Sequence, residues 1–123
     1  MNKNFNNLAL LLLRLGFGGF MLTHGIPKIN RLSNADGFPD PLGVSPMVSL
    51  ILCLIGEVLA PILIIIGFKT KVAAIPAAIT MAVAAFVVHA PDSLAKKEHA
   101  LLYFIVWVVI FLSGPGRFSI DGK

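Results

Sequence analysis

The chain has 123 residues and a composition that a water-soluble domain of this size could not bury. Hydrophobic residues make up 57% of it, charged residues only 13%, and the mean hydropathy is +0.89, so a bilayer must cover most of the surface. The formal net charge is +4, but the basic residues are spread along predicted helix ends and form no stripe. This distribution argues against nucleic acid and favours the lipid bilayer as a partner.

Four apolar stretches fill the chain. A helix needs roughly 20 residues to cross about 30 Å of hydrocarbon, and the pattern predicts membrane spans over residues 7–26, 46–67, 71–90 and 93–113. These spans leave no room for a second domain. We therefore expect one all-α domain over residues 1–123, built as a bundle of four transmembrane helices.

The second span and the connection before it have clear local signals. Ser45 offers an N-cap, Pro46 a first-turn proline and Gly67 a helix stop. The connection over about residues 27–45 is rich in Pro and Gly, which favours turns over regular structure.

The positions of Lys and Arg predict the orientation. The side with the two termini has five basic residues and the other side has four: Lys3, Lys69, Lys71, Arg117 and Lys123 against Lys28, Arg31, Lys96 and Lys97. Under the positive-inside rule, this bias places both termini in the cytoplasm.

Arg14 and Glu57 are ionisable residues inside predicted spans. Glu57 falls near the middle of the second span, where an unpaired charge costs from a few to more than ten kcal/mol. At a rise of about 1.5 Å per residue, Arg14 lies about 9 Å and Glu57 about 15 Å above the cytoplasmic ends of their helices. Long side chains can bridge that difference. We predict an Arg14–Glu57 pair, which either fixes the helix register or handles a proton or ligand.

Further polar residues gather at the opposite end of the predicted bundle. His24 and Lys28 follow the first apolar stretch, and His89, Glu98 and His99 surround the last connection. Two histidines and a carboxylate could bind a metal or relay protons. Interfacial lysines and histidines also simply reach for water and headgroups, so both interpretations stay open.

His89 lies on a helical face of small residues. Ala78, Ala82 and Ala85 share this face, and small residues of this kind normally pack against another helix in a membrane. We therefore expect the imidazole of His89 to point into the bundle.

Few groups in the chain could perform redox chemistry unaided. Cys53 is the one cysteine, so neither an internal disulfide nor a Cys-x-x-Cys relay can form, and we interpret it as a small buried hydrophobe. Tyr103 and Trp107 lie one turn apart and could stack on a flat ligand, although packing is the more usual role.

Four short motifs interrupt the apolar sequence. They are Arg14-Leu15-Gly16, His24-Gly25 with Lys28, Gly56-Glu57 in the second span, and a final Gly114-Pro115-Gly116-Arg117-Phe118-Ser119-Ile120-Asp121. Their order and spacing resemble the DoxX family of small bacterial four-helix membrane proteins, over essentially the whole chain.

The resemblance implies a place in the bacterial inner (plasma) membrane and an association with redox metabolism. Family members are linked to quinone-using oxidases, thiosulfate:quinone oxidoreduction and oxidative-stress complexes, so a quinone is the suggested cofactor and a redox protein the suggested partner. Six residues match the family's polar positions, the last two less closely: Arg14, His24, Lys28, Glu57, His89 and Glu98. The chain has no haem pair, flavin motif or redox-active dithiol of its own.

Two functions of different classes follow. In the first, a membrane subunit binds a quinone or another amphipathic ligand inside the bundle and serves a redox partner. Glu57 and His24 are then its catalytic candidates, its ligand-binding candidates are Arg14, Lys28, Glu57, His89 and Glu98, and no metal ligands are assigned. In the second, the chain is a non-catalytic scaffold or assembly factor. A transporter is a weaker interpretation because four helices leave little room for alternating access unless the chain forms a homo-oligomer.

Overall fold

The computed structural model describes residues 3–122 of the chain, with side chains over residues 5–122, and this part is all-helical. Helix α1 covers Lys3–Gly25 and continues into a 3-10 helix, Ile26–Ser33. The second helical segment runs from α2 (Pro46–Leu54) through a first π-turn (Ile55–Leu59) into α3 (Ala60–Ile66).

The third and fourth helical segments follow after short connections. The third consists of α4 (Thr70–Val83) and a second π-turn (Ala84–Val88). The fourth is α5 (Leu94–Ser113). That residues 1–123 form a single domain stays a prediction.

Among the described residues, three helices are long and apolar enough to cross a membrane: Phe5–Ser33, Pro46–Ile66 and Thr70–Val88. They correspond to the first three predicted spans. The predicted fourth span falls on α5, a helix of 20 residues. Lys96, Lys97 and Glu98 lie close to the start of this helix and shorten its apolar part. That α5 crosses the membrane therefore stays a prediction.

The connection after α1 differs from the expected run of turns. Its first eight residues form the 3-10 helix, with Pro27 in the first turn, where the missing proline N–H is not needed. A 3-10 helix has three residues per turn, and Ile26, Ile29 and Leu32 are all exposed at this spacing. The apolar surface of α1 therefore continues along the 3-10 helix.

The helical segments pack in a ring. Helix α1 packs against α3 and the first π-turn, α3 packs against α4, and α4 against α5, which also makes a lighter contact with α1. The core between them contains large side chains such as Met21, Ile64 and Trp107, while Ala74 and Ala77 bring α4 close to its neighbours. Most other large apolar side chains are exposed, as expected for a surface that faces lipid.

Two glycines bring helices into close contact around the first π-turn. A Cβ atom at Gly25 would lie 2.5 Å from the carbonyl oxygen of Glu57, and one at Gly56 would overlap the Thr80 side chain. Only hydrogen fits at these positions. The first π-turn is therefore held between α1 on one side and α4 on the other.

Candidate functional site

Glu57 is a buried carboxylate in the middle of the second helical segment. Its side chain is 6% exposed, and it lies in the first π-turn, where the N–H of Ala60 bonds to the carbonyl of Ile55, five residues earlier. Pro61 follows and has no N–H to donate to the Glu57 carbonyl. The proline thus removes an α-helical hydrogen bond at this point, and π-turns of this kind are frequent at functional sites.

Lys28 is the partner of Glu57. Its Nζ atom donates to both carboxylate oxygens, at 2.9 Å to Oε1 and 3.0 Å to Oε2. The 3-10 helix after α1 lies along α2 and directs the Lys28 side chain to the π-turn. Short, two-point contacts between opposite charges of this kind offset part of the cost of removing a carboxylate from water.

Cys53 completes the site and corrects our interpretation of it as a simple buried hydrophobe. It lies one helical turn before Glu57 and donates its thiol hydrogen to Oε2 of that residue. The Nζ atom of Lys28 lies 3.6 Å from its sulfur. We refer to these three residues as the Lys28–Glu57–Cys53 cluster.

The predicted Arg14–Glu57 pair is wrong. Arg14 is buried to 1% exposure, but its guanidinium binds four backbone carbonyl oxygens and no carboxylate. They belong to Ile64 (2.9 Å), Ile65 (2.9 Å), Pro115 (3.0 Å) and Phe118 (2.9 Å). Arg14 therefore caps the carboxyl end of α3, where helix carbonyls lack partners and the dipole favours a cation.

The axial positions of the helices explain the error. Helix α1 runs antiparallel to the second segment, with Gly25 beside Glu57 and Gly18 beside Ile65, and its first turns extend past the end of α3. Arg14 consequently lies at the end of α3. At about 1.5 Å per residue, its partner carbonyl at Ile64 is about 10 Å along the helix from Glu57.

The C-terminal segment, residues 114–122, closes around Arg14. The N–H of Asp121 donates to the Gly67 carbonyl at 2.8 Å, and the Asp121 carboxylate accepts from the N–H groups of Thr70 and Lys69, both at 2.8 Å. These hydrogen bonds, first that from Thr70, lower the pKa of Asp121 below its ordinary value. Asp121 thus caps the amino end of α4, and the final sequence motif has a structural role.

His24 lies at the end of the bundle opposite to the termini. It is exposed, stacks on His99 with 5.6 Å between ring centroids, and meets the edge of Tyr103 at 6.2 Å. Tyr103 in turn lies against Trp107, and both are buried, in agreement with a packing role. His24 immediately precedes Gly25, which contacts the first π-turn.

His89 and Glu98 lie apart from the cluster's hydrogen bonds. The side chain of His89 is 36% exposed and its Nδ1 atom lies 2.8 Å from Asp92, whose pKa is lowered mainly by this hydrogen bond. The expected inward orientation is not observed, because the second π-turn adds a residue just before His89 and shifts it off the alanine face. Glu98 is exposed.

Within the described part of the chain, no three His, Cys, Asp or Glu side chains are close enough to hold a metal ion. Of the predicted ligand-binding residues, the structure brings together Lys28 and Glu57. Sequence reasoning missed their pairing and the contribution of Cys53. One signal was present: Cys53 and Glu57 are four residues apart and share a helix face.

Comparison with known proteins gives one match. The DoxX family model matches residues 9–90, which include the whole Lys28–Glu57–Cys53 cluster. No curated protein matches the chain, and no solved structure does. The match covers well over half of the chain, together with apolar helices long enough to cross a membrane. This chain is therefore an integral membrane protein that belongs to the DoxX family.

Proposed function

We propose that this protein is a membrane subunit that binds the polar head of a quinone, or of a similar amphipathic ligand, at the Lys28–Glu57–Cys53 cluster and serves a redox partner. The observation that carries the proposal is the ion pair between the half-buried Lys28 and the buried Glu57 among apolar helices. Such residues within membrane segments are rare, and they usually mark sites for ligands or protons.

The chemistry of the cluster suits a ligand with polar oxygens. Lys28 has three N–H donors, and its contacts in the structure are Glu57 and the Cys53 sulfur. Its side chain is 36% exposed whereas that of Glu57 is 6% exposed, so Lys28 is the member that a ligand can reach. A carbonyl oxygen of the ligand would accept from Lys28, and Glu57 would accept or return a proton.

In this proposal, the ligand enters beside the pair of histidines His24 and His99. His24 and His99 stack at the end of the bundle, above Tyr103, where α5 contacts α1 only lightly. A flat ring that enters between α1 and α5 would meet aromatic surfaces first. In this proposal His24 exchanges protons with the solvent, and Arg14, His89 and Glu98 have no part in the binding of the ligand.

The proposed setting is the bacterial inner membrane with both termini in the cytoplasm and α5 as a fourth membrane crossing. The basic residues near the α3–α4 turn and in the C-terminal segment support this orientation under the positive-inside rule. Labelling of single cysteines placed at either end, in sealed vesicles from a Cys53→Ala background, tests it directly.

Native mass spectrometry of protein purified in mild detergent, together with organic extraction, tests the ligand. We expect a stoichiometric quinone on the wild type and its loss from Glu57→Gln and Lys28→Met. Glu98→Gln removes an exposed carboxylate from the same chain and is the matched control, with the ligand retained. Loss from all three variants, or a wild type that contains only phospholipid, would overturn the proposal.

A second candidate is a non-catalytic scaffold or assembly factor. One observation favours it: the carboxylate of Glu57 already has partners on the chain itself, at both oxygens. If Glu57→Gln lowers stability without changing what copurifies, the pair is structural. Affinity purification from native membranes would then identify the protein that depends on this one.

A further inference from the structure

A surface groove lies at the end of the molecule that contains the termini. Its volume is about 630 Å³, and it runs between the end of α3 and the C-terminal segment. The lining residues are Ile66, Arg117, Phe118, Ser119, Ile120 and Gly122. At about 1.5 Å per residue, Ile66 is about 14 Å along the second segment from Glu57, so the groove is separate from the Lys28–Glu57–Cys53 cluster.

One wall of the groove is apolar and uncovered. Ile66, Phe118 and Ile120 are 44%, 47% and 52% exposed. Ser119, between the latter two, is buried and donates to the Gly116 carbonyl at 2.7 Å. The C-terminal segment is therefore held to the bundle through Ser119 and Asp121, while its two large apolar side chains face outward beside the end of a membrane-spanning helix.

The rim of the groove is basic. Arg117 lines it, and Lys69 and Lys71 are exposed on the adjoining α3–α4 turn and the start of α4. Asp121 is the one carboxylate in this described region, and both of its oxygens accept N–H groups of α4. At the opposite end the basic residues are balanced by acidic ones: Lys28, Arg31, Lys96 and Lys97 against Asp36, Asp40, Asp92 and Glu98.

We propose that this groove binds an anionic phospholipid. The acyl chains would lie on Ile66, Phe118 and Ile120, and the phosphate and its headgroup would be bound by Arg117 and Lys69. An apolar wall with a basic rim is complementary to a molecule that has both acyl chains and an anionic headgroup. The ends of membrane-spanning helices are also where phospholipid headgroups lie.

Several features favour a lipid over a soluble anion. Three of the six lining residues have apolar, exposed side chains, and a free phosphate would leave these side chains uncovered. The groove also continues the outer apolar surface of α3, where Ile62 is exposed towards the bilayer. Juxtamembrane basic residues contribute attraction to anionic lipids at this depth.

Native mass spectrometry with lipids of identical acyl chains tests the proposal. The wild type, delipidated in detergent, is titrated with phosphatidylglycerol and with phosphatidylcholine, and we expect phosphatidylglycerol to be retained preferentially. Each basic residue near the surface contributes about a fivefold preference. The double variant Lys69→Gln with Arg117→Gln should therefore have a preference for phosphatidylglycerol over phosphatidylcholine that is about 25-fold smaller than that of the wild type.

The control removes the same charges from the other end. The double variant Arg31→Gln with Lys96→Gln also replaces one arginine and one lysine. Both double variants change side chains only, so we expect the backbone hydrogen bonds of the altered segments to remain. Melting curves followed by circular dichroism verify that both variants fold. We expect the control to keep the preference, and Phe118→Ser with Ile120→Ser to weaken retention of both lipids. Equal losses in the two charge variants, no preference in the wild type, or displacement of the lipid by millimolar inorganic phosphate would overturn the proposal.

Discussion

Two cations in the described part of the chain, the half-buried Lys28 and the buried Arg14, are stabilised in different ways. Lys28 binds a carboxylate, Glu57, in the middle of the second helical segment. Arg14 binds four backbone carbonyls at the end of α3 and in the C-terminal segment. The first arrangement puts opposite charges on side chains that can exchange partners or protons. The second uses fixed backbone groups, which makes it suited to holding helix ends together.

The difference suggests why only one of the two is a candidate site. A guanidinium is always protonated and planar, and four carbonyls use nearly all of its donors. Lys28 also directs one donor at the Cys53 sulfur, at 3.6 Å, and this weak contact is one that a ligand oxygen could replace. We therefore assign a structural role to Arg14, and we propose the Lys28–Glu57–Cys53 cluster as the place where a ligand binds.

Arg14→Gln should have the largest effect on stability. The variant loses contacts to Ile64, Ile65 and the C-terminal segment and leaves buried carbonyls without donors, at a cost of about 3 kcal/mol or more. Unfolding in detergent followed by circular dichroism measures it. Arg14→Lys keeps the charge but not the planar set of donors, so we expect only partial recovery. An unchanged melting temperature in Arg14→Gln would contradict the capping role.

A double-mutant cycle should distinguish the partner of Glu57. Removal of one member of a buried pair costs about 3 kcal/mol, and we expect Glu57→Gln and Lys28→Met each to lose stability of this order. Combined, they should lose clearly less than the sum, because the second change removes a charge already unpaired. The cycle of Glu57→Gln with Arg14→Gln should be additive within about 0.5 kcal/mol. Strong coupling there would restore the Arg14–Glu57 pair.

Asp121→Asn should have a smaller, pH-dependent effect. The folded protein holds the Asp121 carboxylate at the backbone N–H groups of Thr70 and Lys69, which lowers its pKa, so its contribution is fully present above the unfolded pKa of about 3.9. It is lost as the pH falls through the lower folded pKa. At neutral pH, loss of this cap should cost about 1 kcal/mol. The melting temperatures of wild type and variant should converge in acid, and a constant difference would refute the role.

Much of the fold could be predicted from the sequence, because the apolar stretches and their ends are local signals. The second and third spans agree with the structure to within two residues, whereas the first, predicted to end at residue 26, continues to Ser33. Ser45, Pro46 and Gly67 act as expected: the Ser45 side chain accepts from the N–H of Val48, and Gly67 ends α3 in a left-handed conformation. Such signals depend on neighbours in the chain, so one sequence suffices to detect them.

The side-chain pairs at the site depend on features that are not local. The axial offset between α1 and the second segment decides whether Arg14 or Lys28 meets Glu57, and the long connection between them leaves that offset undetermined in the sequence. Each π-turn also rotates the residues that follow, which moved His89 away from its predicted face. Pro61 lies within the second predicted span, but its link to the π-turn around Glu57 required the structure.

Substitutions of Cys53 should have the smallest effect, and they test whether Cys53 interacts with Glu57 and not with the Arg14 cap. Its thiol donates to Glu57, but Lys28 contacts both carboxylate oxygens as well, so we expect each oxygen to keep a partner when the thiol is removed. Cys53→Ala should thus cost about 0.5–1 kcal/mol, near the value of one hydrogen bond, and Cys53→Ser should cost less because its hydroxyl keeps the donor. Combined with Glu57→Gln, the Cys53→Ala penalty should shrink, whereas combined with Arg14→Gln it should persist unchanged. A penalty that is the same in both backgrounds would mean that Cys53 only fills space beside the carboxylate, and the cluster would then reduce to the Lys28–Glu57 pair.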